Sequence, residues 1–253
     1  MVARLHQRRM DDATLTLVSL AIGVVAVLYS SVGHAGASGY IAVMTLCGFA
    51  ASSIKPVALV LNILVATIGA WQFWRAGHFS WRLFWPFALL SVPAAFVGGG
   101  LSVSVSLLQP LLGAVLLFSA VRLFFRRHDP PEVSPPAVPT ALAAGAGIGL
   151  LAGLTGTGGG IFLTPLLLFR GWARTRAASA VSALFILVNS MAGLLGYCRS
   201  GQTVPSFAWV LAVAAVAGGA LGSRWGSRHL PVPVISWMLA VVLILAGGKL
   251  IFA

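Results

Sequence analysis

The sequence predicts an all-α, polytopic membrane protein made of two homologous halves, and composition and segment length give the first two reasons. Hydrophobic residues make up 59% and charged residues 8% of the 253 residues, whereas soluble domains contain about half and about a quarter of these classes. One membrane crossing needs about 20 mostly apolar residues. Charge-free stretches of about this length or longer cover residues 13–32, 56–74, 83–121, 133–169, 177–198, 200–223 and 230–248.

Each half of the chain contains five apolar segments in the same order. The second segment of each half is the shortest and follows a Gly-rich run. In the first half the segments cover about 13–32, 36–50, 56–75, 82–100 and 106–125; in the second half they cover about 138–154, 158–170, 177–198, 205–223 and 231–252.

Short sequence matches between the halves indicate an internal duplication. Arg75-Ala76-Gly77 matches Arg199-Ser200-Gly201, and Gly69 matches Gly193, both at a separation of 124 residues. A charged, Pro-rich stretch lies between the halves and is typical of a short extended linker. The predicted organisation is a cytoplasmic N-terminal tail (1–12), a first transmembrane repeat (13–125), a linker (126–137) and a second transmembrane repeat (138–253).

The topology depends on whether the short second segments cross the membrane. If they are re-entrant, the chain has eight spans and parallel halves; if they cross, it has ten spans and an inverted 5+5 repeat. Each arrangement places ten of the 16 cations on the cytoplasmic side, so the excess of cationic residues in cytoplasmic loops does not separate them. The shortness of the segments favours about eight transmembrane helices with two short broken or re-entrant segments, and ten spans is the alternative.

The distribution of charge favours an anionic or neutral solute. The four acidic residues, Asp11, Asp12, Asp129 and Glu132, all fall in the tail or the linker, whereas proton and sodium pathways usually contain intramembrane carboxylates. Arg-rich cytoplasmic loops account for much of the net charge of +12. Nucleic-acid binding is not predicted, because no basic stripe with exposed aromatic residues is present.

Two Gly-rich runs, 33–39 and 155–160, predict a solute site at two broken helices. A helix N-terminus presents free N–H groups and about half a positive charge, so oxyanions bind there. Glycine lets a solute approach the backbone, and the Ser and Thr hydroxyls add donors. The predicted substrate-binding residues in these runs are Gly36, Ser38, Gly39, Thr155, Thr157, Gly158, Gly159 and Gly160. The alternative is that the glycines only allow tight helix packing.

Five further polar residues have two possible roles each. Asn62 and Asn189 lie inside apolar segments and either line the solute pathway or bond a neighbouring helix. Lys55 and Arg176 either attract anions at the entrance or extend to lipid headgroups. His34 either couples proton movement to transport or makes a structural hydrogen bond.

No enzymatic activity, metal site or cofactor is predicted. The sequence contains neither a Gly-x-Ser-x-Gly nor a His-Glu-x-x-His motif, and no lysine follows the second Gly run as a phosphate-binding loop would require. Cys47 and Cys198 are not in metal-ligand spacing, and we expect them to be small core residues.

The chain resembles the TauE/SafE sulfite exporter family, also called the sulfonate uptake permease superfamily. The resemblance rests mainly on Val32-Gly33-His34-Ala35-Gly36 and on the run from Gly153 to Pro165, with Arg176-Ala177-Ala178-Ser179-Ala180 and Gly218-Gly219-Ala220-Leu221-Gly222 also similar. Ala37 and Ser38 depart from the family's usual Gly-x-Gly-Gly-Gly form.

The resemblance implies a multi-pass inner-membrane permease for small sulfur-containing or organic anions such as sulfite, sulfonates, sulfoacetate or thiosulfate. The expected partners are the small anionic substrate, the lipid bilayer and, in an oligomer, further copies of the chain. The other functions considered are an uncoupled anion channel or uniporter, an integral membrane enzyme that uses His34, and a membrane subunit that does not transport.

Overall fold

The structure is a computed structural model that describes residues 12–101, 109–124, 129 and 132–252. In these residues the chain forms ten α-helices and no β-strand, which confirms the predicted all-α class. The helices are α1 (Asp12–Ser31), α2 (Ala37–Leu46), α3 (Ala51–Arg75), α4 (Trp81–Gly100), α5 (Gln109–Phe124), α6 (Val138–Thr155), α7 (Gly160–Phe169), α8 (Thr175–Arg199), α9 (Ala208–Arg228) and α10 (Val232–Phe252).

Helix length separates membrane-crossing helices from the two short segments. Seven helices in the described part of the chain, α1, α3, α4, α6, α8, α9 and α10, are long and apolar enough to cross a bilayer. Helices α2 and α7 have 10 residues each, which at about 1.5 Å per residue is about half the hydrocarbon thickness. The polytopic fold with two short segments is therefore confirmed.

Stripes of glycine allow two pairs of helices to pack with their backbones in contact. A Cβ atom built at any of these glycines would overlap a carbonyl oxygen of the facing helix, so only glycine fits. On α6, Gly145, Gly149 and Gly153 face Phe87, Ser91 and Ala95 of α4; on α9, Gly218, Gly222 and Gly226 face Gly23, Val27 and Ser31 of α1. Residue numbers rise together in both pairs, so α6 is parallel to α4 and α9 is parallel to α1.

Helices α3 and α8, the third helix of each half, pack against each other in opposite directions. Tyr197 near the end of α8 donates a hydrogen bond from Oη to the carbonyl oxygen of Ser52 at the start of α3, at 3.1 Å. In the middle of the pair, the Asn62 Nδ2 group donates to Ser190 Oγ at 3.3 Å. Each of the two helices contains 25 residues, and their directions are antiparallel.

The helix directions fit the ten-segment alternative rather than the eight-span arrangement. Val65 and Gly69 of α3 face Gly219 and Ser223 of α9 in the same order, so α3 is parallel to α9 and hence to α1. The chain between α1 and α3 must therefore return to the side where α1 begins. The 10-residue α2 makes this return together with the non-helical residues 32–36 and 47–50. Each of these non-helical residues extends the path by at most about 3.3 Å.

Part of the predicted linker packs on the start of α8 and on the loop that precedes it. The Asp129 carboxylate accepts hydrogen bonds from the Thr175 backbone N–H at 2.9 Å and from the Thr175 hydroxyl at 2.6 Å. The Ser134 N–H donates to the Gly171 carbonyl oxygen at 3.1 Å. Residues 126–128, 130 and 131 of the linker and residues 1–11 of the tail lie outside the described residues, and the predicted domain boundaries remain predictions.

The two cysteines are exposed, which corrects the expectation that they are core residues. Cys47 caps the C-terminus of α2, and Cys198 lies in the last turn of α8. Both positions are at helix ends, and the adjoining side chains of Leu46 and Arg199 are also exposed. Since Tyr197 contacts Ser52 at the start of α3, both thiols lie on the same face of the protein.

We predict that a membrane-impermeant maleimide labels Cys47 and Cys198 from the same side of the membrane. Parallel halves with eight spans would place the two thiols on opposite sides. The measurement compares labelling of intact cells and of inverted vesicles, and the Cys47→Ser and Cys198→Ser variants assign each labelled site. Labelling from opposite sides would contradict the helix directions given above.

Candidate substrate site

The two predicted helix breaks lie next to each other in the folded protein. Gly36 caps the N-terminus of α2 with φ 111°, and Gly159 caps α7 with φ 83°, a left-handed conformation that favours glycine. His34 of the first break is buried, and its Nε2 atom lies 3.4 Å from the Thr164 hydroxyl one turn into α7. The sequence-predicted runs are thus brought together.

The second break lies against the middle of the antiparallel α3–α8 pair. A Cβ atom built at Gly158 would lie 2.7 Å from Ile186 Cγ2, 2.8 Å from Ser190 Oγ and 2.9 Å from Asn62 Nδ2. Asn62 is the twelfth of the 25 residues of α3, and Ile186 is the twelfth of the 25 residues of α8. The break is therefore at the middle of the two helices and not near either surface.

Both short helices begin without a capping side chain. The N–H groups of a first helical turn have no intrahelical acceptor, and here those turns are buried: Ala37, Ser38 and Gly39 in α2, and Gly160 and Ile161 in α7. Together with the helix dipole, these groups give the centre of the protein a positive potential.

Asn62 contributes a polar side chain to this centre, whereas Asn189 is bonded to its own helix. Asn62 is fully buried, and its Oδ1 atom has no hydrogen-bond partner among the described residues. Rotating the amide by 180° lets Ser190 donate to the oxygen and leaves both N–H groups of Asn62 free for a ligand. Asn189 instead donates from Nδ2 to the Phe185 carbonyl oxygen at 2.8 Å, which leaves its buried Oδ1 unpartnered.

The predicted hydroxyl donors make contacts within the protein. Ser38 Oγ donates to Tyr29 Oη at 3.0 Å, and a Cβ atom at Gly39 would meet Val25, so both residues face α1. Thr155 Oγ1 donates to the Leu151 carbonyl oxygen at 2.7 Å and lies 2.9 Å from Thr157 Oγ1.

Lys55 and Arg176 lie at opposite ends of the α3–α8 pair, and both contact the carbonyl end of a helix. Lys55 Nζ donates to the Gly99 carbonyl oxygen at 3.0 Å in the last turn of α4. Arg176 Nη2 donates to the Leu230 carbonyl oxygen at 2.9 Å, just beyond α9. A cation at a helix C-terminus complements the helix dipole, and the entrance role of these residues remains a prediction.

Each of these cations also lies beside a ring from the other half of the chain. The Tyr197 ring is 5.9 Å from Lys55 Nζ. His78 Nε2 is 3.4 Å from Arg176 Nη1 and 3.0 Å from the Ser227 carbonyl oxygen. At each end of the α3–α8 pair, a cation therefore contacts both a ring from the other half of the chain and a backbone carbonyl oxygen.

Several polar residues at the breaks were not predicted from the sequence. Thr164 Oγ1 donates to Ser182 Oγ at 2.6 Å, and Ser190 contacts both Asn62 and Gly158. The available signal was helical spacing: Ser179, Ser182 and Ser190 fall on one face of an otherwise apolar helix. Among the described residues, no group of three or more His, Cys, Asp or Glu side chains is arranged to hold a metal ion.

The fold and the two broken helices at its centre define a multi-pass membrane transporter. The sulfite exporter TauE/SafE family model matches residues 18–250, and the chain belongs to this family.

Two relatives are similar to the chain. It is 41% identical over 250 residues to the probable membrane transporter protein y4hK of Sinorhizobium fredii (strain NBRC 101917 / NGR234), a match that covers 96% of this chain and 100% of the relative. It is 32% identical over 108 residues to the probable membrane transporter protein YunE of Bacillus subtilis (strain 168), which covers 42% of this chain and 38% of that protein. No solved structure matches the chain.

We predict that Gly160→Ala lowers the melting temperature, whereas Gly147→Ala does not. A Cβ atom at Gly160 would lie 2.7 Å from Ile186 Cγ1 and 3.3 Å from His34 Cδ2, and overpacking of this kind costs about 1–3 kcal/mol. Gly147 is exposed in α6 with nothing within 4 Å of the added atom, so the higher helix propensity of alanine leaves stability unchanged or slightly raised. Thermal unfolding in detergent measures both, and equal melting temperatures would contradict the close packing at Gly160.

Proposed function

We propose that the protein is a permease for small sulfur-containing or organic anions such as sulfite and sulfonates, and that it holds the anion between the two helix breaks. The observation that carries the proposal is that two helices begin, uncapped and buried, next to each other at the middle of the fold. Helix N-termini bind oxyanions through backbone N–H groups. The name of the family, sulfite exporter, supports the same class of solute.

The polar groups around the breaks suit an anion with several oxygen atoms. N–H groups of α2 and α7 supply donors, and with the Asn62 amide rotated so that Ser190 donates to its oxygen, the two N–H groups of Asn62 add two more beside Gly158. The acidic residues in the described part of the chain are Asp12, Asp129 and Glu132, at the first residue of α1 and in the linker. None of these residues belongs to either break or to the first turn of α2 or α7.

The proposed location is the inner membrane, with the linker on the cytoplasmic side. Asp129 of the linker contacts the start of α8, and this face also carries more positive charge, as expected for the cytoplasmic side. Among the cations whose side chains the structure describes, those toward this face are Arg75, Arg82, Arg170, Arg174, Arg176, Arg224 and Arg228, and those toward the other face are Lys55, Arg199 and Lys249. This orientation places the start of α1 outside, in contrast to the cytoplasmic tail predicted from the sequence.

We further propose that the two halves arose by duplication and are related by an inverted repeat. The supporting observations are the equal lengths of α2 and α7 and of α3 and α8. The packing of α4 on α6 also has its counterpart in the packing of α9 on α1. An inverted repeat brings its two equivalent breaks together at the centre, as in other transporters.

Flux in proteoliposomes tests the proposal. We expect saturable uptake of radiolabelled sulfite or a simple sulfonate in preference to chloride, and loss of uptake in Gly159→Leu, while the exposed Gly147→Ala control transports normally. Acceleration by an imposed pH gradient would support coupling through His34, and flux that only follows the anion gradient would support a uniporter. Absence of anion flux in correctly inserted wild-type protein would refute the proposed function.

We predict that Asn62→Leu weakens anion transport more than Asn189→Leu. Asn62 lies at the break, whereas Asn189 donates to its own helix. Loss of one hydrogen bond to a charged ligand costs about 1.5–3 kcal/mol, so the half-saturating concentration rises by roughly tenfold or more in Asn62→Leu. Concentration-dependent flux of the two variants measures this difference, and equal effects would contradict the placement of Asn62 in the site.

A further inference from the structure

One face of α8 runs past both helix breaks and carries polar residues on either side of a single isoleucine. Ser179, Ser182, Ile186 and Ser190 are spaced by three, four and four residues, which aligns them along one side of a helix. All four are buried. At about 1.5 Å per residue, Ser182 and Ser190 each lie about 6 Å from Ile186 along the axis.

The polar residues on the two sides of Ile186 belong to different clusters. Toward the end of α8, Ser190 contacts Asn62 and Gly158, and the buried Oδ1 of Asn62 has no partner among the described residues. Toward the start of α8, Ser182 accepts a hydrogen bond from Thr164, which lies 3.4 Å from His34.

A second unpartnered buried group lies on the His34 side of Ile186. Ser179 packs against Gly33 of the first break. Its Oγ atom is fully buried and has no hydrogen-bond partner among the described residues. Each cluster therefore contains a buried donor for an anion: the Asn62 amide, once rotated so that Ser190 satisfies its oxygen, and the Ser179 hydroxyl.

Ile186 fills the space between the two clusters. Its side chain packs against both Gly158 and Gly160 of the second break: Cγ2 lies 2.7 Å from the Cβ position of Gly158, and Cδ1 and Cγ1 are the atoms nearest to that of Gly160. Phe185 and Ser190 of α8 also contact this break, at Gly159 and Gly158, but Ile186 is the α8 side chain that contacts both Gly158 and Gly160. A β-branched side chain has few rotamers in a helix, so its position is well defined.

We propose that Ile186 is an apolar constriction that divides the solute path into two polar pockets, one at Asn62–Ser190 and one at His34–Thr164–Ser182, and that it limits the size of the transported anion. This inference rests on the proposed function. An anion passes Ile186 only when the side chain moves aside. The space opened by this movement limits the size of the organic group that is attached to the charged sulfite or sulfonate group.

The flux experiment compares sulfite with butanesulfonate in proteoliposomes that contain wild-type protein, Ile186→Val or Ile186→Ala. We expect the butanesulfonate-to-sulfite flux ratio to rise by about tenfold in Ile186→Ala, in line with the discrimination that a few methylene groups provide, and by less in Ile186→Val. The matched control is Val181→Ala, which also removes buried aliphatic carbon from α8 but lies on a different face. An unchanged ratio in Ile186→Ala and Ile186→Val would overturn the proposal. If Ile186→Ala does not fold, Ile186→Val decides.

Thiol labelling tests the constriction without measuring the transport of a solute. Ser190→Cys and Ser182→Cys are introduced separately into protein with Cys47→Ser and Cys198→Ser, and a small sulfonate-bearing methanethiosulfonate reagent is added from one side. We expect the thiol at 190 to react from the face where Cys47 lies, and the thiol at 182 from the linker face. Ile186→Val or Ile186→Ala should let each thiol react from both faces. Reaction of both thiols from either face with Ile186 present, or of neither thiol, would overturn the constriction.

A failed proposed function is distinguishable from a failed constriction. Wild-type protein that carries neither anion refutes the anion permease, while the labelling result still decides whether Ile186 divides the path. Wild-type protein that carries sulfite with an Ile186-independent flux ratio leaves the permease intact and refutes the constriction as a size limit.

Discussion

Two helices that start inside the protein constrain the rest of this structure. Backbone N–H groups in a first helical turn need acceptors, and in a bilayer no water is available to supply them at an arbitrary position. Here the two helix starts, capped by Gly36 and Gly159, are placed together at the centre, where protein surrounds them. A helix start exposed to lipid would be costly because its N–H groups would have no acceptor. Here protein surrounds both starts, and their N–H donors face the centre of the fold.

The long helices around the breaks make this arrangement possible. The α4–α6 and α1–α9 pairs pack through glycine stripes against facing carbonyl oxygens, which provides close packing where the hydrophobic effect between helices is weak. The antiparallel α3–α8 pair then crosses the centre and presents Asn62 and Ile186 to the second break. At opposite ends of this pair, Lys55 binds the carbonyl end of α4 and Arg176 binds the carbonyl end of α9. The charged side chains therefore lie at the ends of the pair, and neutral polar side chains lie at its middle.

The sequence predicted the helical class, the short second segments and the two breaks, because glycine and apolar length are local signals. It did not predict the directions of the helices, since both topologies placed the same number of cations inside. Ser190 and Thr164 were missed because their roles come from contacts with Asn62 and Ser182 across helices. The cysteines were assigned to the core on average burial, whereas their positions at helix ends expose them.

The location of a bound anion shows whether the two buried helix starts form the binding site. Selenite is a heavier analogue of sulfite, and crystals grown with it give an anomalous-difference map in which selenium is identified. We predict a selenium peak between the α2 and α7 N-termini, with the selenite oxygen atoms about 3 Å from the Gly160 N–H and the Asn62 amide. A well-occupied peak elsewhere in the protein, with none between the two breaks, would contradict it.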